Sequence, residues 1–134
     1  MTPERKIIGI VGGVGPYAGL DLNRKVFDST VTDGSDQDHL EVILFSAGSR
    51  IPDRTGYLLG QEKVNPAEGL FQACRALAEA GAGVAAVACN TAHAAAIMEP
   101  LREKLKKEGL SLELVDMIEA TGEYVRGRFG PGAR

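Results

Sequence analysis

The run Gly83-Val-Ala-Ala-Val-Ala88 is short, apolar and uncharged, and it passes directly into Cys89-Asn-Thr-Ala-His93. A segment of that kind suits a fully buried parallel strand. Beyond it, Ala94, Ile97, Met98, Leu101 and Leu105 recur at helical spacing. Cys89 is thereby expected at a strand's carboxyl end, with Asn90 or Thr91 capping the next helix. A thiol in that position feels the positive end of the helix macrodipole and nearby free N–H groups, which favour the thiolate. Such a cysteine can act as base, acid or nucleophile. The alternative is a buried structural cysteine, the usual fate of a free thiol.

The rest of the chain repeats the pattern. Residues 7–11 form a first apolar run, followed by Gly12-Gly13-Val14-Gly15-Pro16 and a helix to about Val31. Pro16 suits a first helical turn, where its missing N–H costs nothing. Residues 32–39 are polar and read as a loop, and residues 42–45 as the second strand. Residues 46–65 carry no clear period; loops of that length are usually functional or disordered. Residues 66–80 read as the second helix, 84–88 as the third strand and 92–108 as the third helix. Residues 112–115 make a fourth strand and 118–126 a last short helix. The glycine-rich tail, residues 127–134, reads as a linker.

Alternating strands and helices imply an α/β fold, with a parallel sheet, right-handed crossovers and helices on both faces. With four strands in the order 2-1-3-4, a flavodoxin-like arrangement, ligands bind beyond the carboxyl ends of the first and third strands. The loops meeting there are 12–16 and 89–91, the two most chemically distinctive in the chain. That coincidence marks the expected active site.

Composition narrows the partners. The chain has 134 residues and a net charge of -3, which fits one domain with a real core. No sustained basic block offers itself to nucleic acid or a polyanionic membrane surface. Lys104, Lys106 and Lys107 alternate with acids and read as a solvated helix face. The first residues lead into a strand too short for a leader or a membrane span. Cys74 and Cys89, the only cysteines, match no zinc spacing, so no metal is expected. Cys74 lies on the apolar stripe Leu70, Ala73, Cys74, Leu77 and reads as core. The cysteine usage points to a reduced, cytoplasmic setting.

Residues 13–18 satisfy the Gly-x-Gly-x-x-Ala form of the dinucleotide fingerprint. The second strand ends without the carboxylate that would hold a ribose, and no Gly-Lys-Ser/Thr comes after the glycines. The loop is better suited to offering bare N–H groups to a small anion, or it is simply a tight turn. In the long loop, Arg50 and Arg54 flank Pro52 and could clamp a carboxylate by the planar guanidinium fork, or lie in solvent. His39 is given no role. For His93, local capping or packing competes with proton transfer.

Three motifs, Gly9-Ile-Val-Gly-Gly-Val-Gly-Pro16, Ile51-Pro-Asp-Arg-Thr55 and Val87-Ala-Cys-Asn-Thr-Ala-His93, resemble the aspartate/glutamate racemase family, most closely its aspartate racemase branch. The resemblance covers residues 5–126. It implies interconversion of D- and L-amino acids without pyridoxal phosphate, metal or other cofactor, by two cysteines on opposite faces of the α-carbon. By the match, Cys89 is one of them, Asn90 and Thr91 contact the substrate carboxylate, and Arg54 binds the acidic side chain of aspartate or glutamate. Gly12, Gly13, Val14 and Gly15 line the pocket through their backbone. The resemblance also implies a second domain, of similar size, that carries the second cysteine. The expectation is therefore a racemase half, residues 1–126, with its second domain absent and a homodimer covering the exposed wall. A non-catalytic carboxylate-binding module and a nucleotide-binding α/β domain are the other readings.

Overall fold

The computed structural model describes residues 5–132. The expectations for residues 1–4 at the start, and for residues 133–134 of the tail, lie outside it. Strands β1 (Ile7–Gly12), β2 (Val42–Ser46), β3 (Ala82–Val87) and β4 (Glu113–Val115) form one parallel sheet in the order β2-β1-β3-β4. The α-helices are α1 (Pro16–Asp28), α2 (Arg54–Leu58), α3 (Ala67–Glu79), α4 (Ala95–Lys107) and α5 (Met117–Phe129). Four strands separated by helical segments thus give the expected α/β sheet.

Successive residues of a strand point to opposite faces, and two glycines three apart in β1 reveal what covers each. A Cβ on Gly9 would lie 3.0 Å from Leu77 Cδ1 of α3. A Cβ on Gly12 would lie 2.8 Å from Leu44 Cδ1 and 3.7 Å from Gly19 Cα of α1. So α3 covers one face, with α4 packed against it, while α1 covers the other over β1 and β2. The larger core lies under α3 and α4. Leu70, Phe71, Cys74 and Leu77 meet Ile97, Met98, Leu101 and Leu105 above Val11, Ala85 and Val87. Burying each large apolar side chain contributes about 1.5–3 kcal/mol.

The opposite face is thinner. β3 is not buried on both sides as its composition implies. Ala85 and Val87 are buried, whereas Val84 and Ala86 are half-exposed. The cause is α5, which buries no residue and leaves Ile118, Tyr124 and Phe129 exposed. α5 is also longer than expected. Asp116 accepts hydrogen bonds from the Ile118 and Glu119 N–H groups and starts it, and the helix runs through Gly127 to Phe129 before Gly130 turns out at φ +87°. Part of the presumed linker is therefore helix.

The long segment after β2 is ordered by short-range bonds that leave no period in the sequence. Gly48–Arg50 forms a 3-10 turn, and Asp53 caps α2 by accepting the Gly56 N–H at 3.0 Å. Five residues are too few to show helical periodicity. Asn65 then ties three helices together. Its Oδ1 accepts the Ala67 N–H at the start of α3 (2.9 Å), and its Nδ2 donates to Tyr57 Oη of α2 (3.1 Å) and to the Ala96 carbonyl of α4 (3.0 Å). That carbonyl is the one Pro100, four residues on and lacking an N–H, cannot satisfy. Asn65→Ala should therefore lower unfolding free energy by about 1–2 kcal/mol. Urea denaturation would show a reduced midpoint with an unchanged slope, and an unchanged midpoint would refute this role.

Candidate functional site

At the carboxyl end of β1, glycines allow two loops to touch. Gly13 has φ +82°, and a Cβ there would lie 2.6 Å from Gly48 N. Reciprocally, a Cβ on Gly48 would lie 2.4 Å from the Gly13 carbonyl oxygen. No larger residue fits either position. This contact sets the 3-10 turn before Ile51 against the glycine loop. Among the described residues, the N–H groups of Gly13, Val14 and Gly15 donate to no backbone carbonyl. They precede α1, which begins at Pro16 without a side-chain cap. Backbone N–H groups gathered at a helix start attract anions.

At the end of β3, Ala88 N–H still donates to the Val11 carbonyl (3.1 Å), and Cys89 N–H folds back to the Val87 carbonyl (2.9 Å). The chain thus turns sharply at Cys89. Beyond the turn, the long helix expected from the sequence does not start at once. Thr91–His93 is a single 3-10 turn, Ala94 breaks it with ψ 140°, and α4 starts only at Ala95. Neither Asn90 nor Thr91 caps through its side chain, so Cys89 does not face the N-terminus of a long helix. Ala94, extended in this way, is the N-cap position from which α4 starts. The N–H groups of Asn90 and Thr91 donate to no backbone carbonyl among the described residues.

Cys89, Asn90 and Val14 line one crevice of about 390 Å³ between the ends of β1 and β3. The switch point expected from strand order is there. Its far wall holds Ala18, the last position of the Gly-x-Gly-x-x-Ala run, and residues that sequence reasoning passed over: Asp21, Leu22 and Lys25 of α1, and Met117 of α5. The Lys25 ammonium, hydrogen-bonded to Asp21, holds that carboxyl below its ordinary value. An i, i+4 acid–base pair on the helix after a glycine loop was the available signal. The remaining candidates, Gly12, Gly13, Gly15, Thr91 and Arg54, do not line this crevice. Gly12 ends β1 below the loop, packed close to Gly19. Arg54 opens α2, which packs against the Thr91–His93 turn. Its Nη1 donates to the Pro52 carbonyl (3.3 Å), while its buried Nε has no acceptor among the described residues. Arg50 lies elsewhere, 6.0 Å over the Phe45 ring at a separate pocket.

The two cysteines differ as the sequence implies. Cys74 is fully enclosed in α3, and burial pushes its thiol up to about 12. Cys89 is half-exposed at the crevice, and both are free thiols. Among the described residues no cluster of three His, Cys, Asp or Glu is placed to hold a metal, and no helix is long and apolar enough to cross a membrane. Iodoacetamide at neutral pH should alkylate Cys89 well before Cys74, since Cys74 offers neither access nor thiolate. Peptide mapping would report the order, and equal or reversed rates would remove Cys89 from the site.

Comparison with known proteins bears on this geometry. Residues 11–133 match the model of the Asp/Glu/hydantoin racemase family. Among solved structures, the chain is similar to the aspartate racemase of Picrophilus torridus, at 28% identity and TM-score 0.67, over 94% of this chain and 76% of that one. It is also similar to an aspartate racemase homologue from Pyrococcus horikoshii OT3, at 25% identity and TM-score 0.67, over 92% of this chain and 50% of that one. A Yersinia pestis protein at 21% identity, TM-score 0.67, covered over the same shares, shows the fold alone. The chain spans about half the length of the last two.

Proposed function

The chain belongs to the Asp/Glu/hydantoin racemase family, and from that premise we propose that it supplies one side of a cofactor-independent racemisation site for aspartate or glutamate. Cys89 is the thiol that exchanges the α-proton. As thiolate it takes the proton from the α-carbon and leaves the electron pair delocalised into the adjacent carboxylate; as thiol it returns a proton in the reverse direction. The observation that carries this reading is the crevice itself. It joins the half-exposed thiol to Val14 of the glycine loop and to Asn90, at the point where open α/β sheets bind ligands.

The other roles fall to donors that have no acceptor. The Asn90 and Thr91 N–H groups and those of Gly13, Val14 and Gly15 suit the α-carboxylate, with Gly12 supporting the loop from β1. Arg54, with its unpartnered Nε, suits the side-chain carboxylate. Racemisation needs a second proton donor on the opposite face of the α-carbon. Cys74 is not that group, because it is sealed within α3. The second thiol comes from outside this copy's residues 1–126, the single domain of this reading. Two free thiols support a reducing, cytoplasmic setting. No role is assigned to nucleic acid or to a membrane.

The test is exchange of the α-proton of aspartate in deuterium oxide, followed by NMR. The chain should catalyse it, and Cys89→Ser should abolish it. Dicarboxylic amino acids should bind better than their amides or alanine, and Arg54→Lys should lose about 2–5 kcal/mol of that preference. Carboxylate binding without exchange would leave a binding module in place of an enzyme.

We further propose a homodimer. The face formed by α1, α5 and strands β3 and β4 carries an apolar groove lined by Leu22, Ala86, Val115, Met117 and Tyr124. Tyr124 is 64% exposed. Two-fold pairing is the commonest way to cover such a surface. Light scattering should report twice the chain mass, and a monomer would refute the pairing. Given a dimer, only a geometry that sets both Cys89 sulfurs about one α-carbon completes the two-base site.

A further inference from the structure

His93 is hydrogen-bonded through both ring nitrogens. Nδ1 lies 2.7 Å from the Cys89 carbonyl oxygen. A carbonyl can only accept, so Nδ1 carries the proton. Nε2 lies 3.2 Å from the Met117 backbone nitrogen. That N–H can only donate, so Nε2 carries none. One neutral tautomer satisfies both bonds, and its only lone pair is already engaged. The competition between capping and proton transfer is resolved by this geometry, because a base needs a free lone pair.

The two backbone groups that the ring holds belong to opposite walls of the crevice. Cys89 lies two residues beyond the end of β3, and Met117 opens α5. Since α5 buries no residue, packing does little to hold its first turn in place. Its other anchors are polar. Asp116 accepts from the Ile118 and Glu119 N–H groups, and Arg102 of α4 reaches Asp116 at 3.4 Å. The ring is the tie that runs directly between α5 and the residue carrying the thiol.

We propose that His93 is the positioning residue of this site: as the Nδ1–H tautomer it holds Cys89 by its carbonyl and Met117 by its N–H, and so fixes the width of the crevice that the thiol faces. The proposal rests on the reading of Cys89 as the proton-exchanging thiol, yet it is tested without turnover. Nitrogen-15 NMR of the wild-type chain should show Nδ1 protonated and Nε2 bare at neutral pH. The opposite tautomer, or a doubly protonated ring, overturns it.

Three variants separate the two bonds. In His93→Asn the amide reaches only as far as Nδ1 does, and keeps donation to Cys89. In His93→Gln the longer amide reaches the Nε2 position, and keeps the acceptor for Met117. His93→Asn should therefore speed amide exchange at Met117 by about fivefold, the factor of one ordinary hydrogen bond, with Cys89 alkylation close to wild type. His93→Gln should reverse the pattern, with Cys89 alkylation about fivefold faster and Met117 protected. His93→Ala should show both changes. Equal shifts in all three variants, or none, would mean that the ring only fills space, and would overturn the proposal. Loss of α-proton exchange alone, with this pattern intact, would count against the proposed function and leave the positioning role standing.

Discussion

The arrangement depends on two backbones meeting where side chains cannot fit. Gly13 and Gly48 approach so closely that a Cβ on either would fall within 2.6 Å of the other's backbone. Gly12 and Gly19 meet less tightly between β1 and α1, where a Cβ on Gly19 would lie 3.1 Å from Gly12 Cα. Together these contacts draw α1, the glycine loop and the segment after β2 to the carboxyl end of one strand. Without them the glycine loop and the 3-10 turn before Ile51 would stand apart.

The second constraint is asymmetric burial. One face of the sheet is an apolar core in which residues of α3 and α4 pack together with those of β1 and β3. The other has only α1 firmly seated, and α5 lies over β3 and β4 without burying a residue. The crevice and the apolar groove both open on that second face, sharing Leu22 and Met117. A packed face holds the strands rigid while the open face leaves room for a ligand or a partner. Polar ties take over where apolar packing is thin, which explains why α5 begins with three separate side-chain contacts, through Asp116, Arg102 and His93.

The site joins donors that lack acceptors to one accessible thiol. Cys74 and Cys89 are the same chemical group in opposite surroundings. Burial lifts the first to about 12 and closes it off, while the second stands at a chain turn beside backbone N–H groups. Position in the fold, more than residue type, separates the enclosed cysteine from the accessible one. Lys25 and Asp21 add a charged pair to the same crevice from α1.

The alternation of strands and helices, the placement of Pro16 at the start of α1 and the burial of Cys74 were all legible in the chain, because each rests on local periodicity or on proline's missing N–H. The two loops that meet at the crevice were legible too, once the order 2-1-3-4 was taken, since that order sets the first and third strands side by side. Other features were not. α2 is too short to show a period, the break at Ala94 has no local signal, and α5's length hid behind its glycines. The joint roles of Asn65 and His93 are invisible in sequence, because their partners Ala96 and Met117 lie far along the chain. Sequence by itself determined which of the longer segments become strands and helices, because their periodicity is local. Only the tertiary structure decided which donors are left unpaired and which ring nitrogen bears a proton, because hydrogen-bond partners are fixed by packing between elements and not by spacing within them.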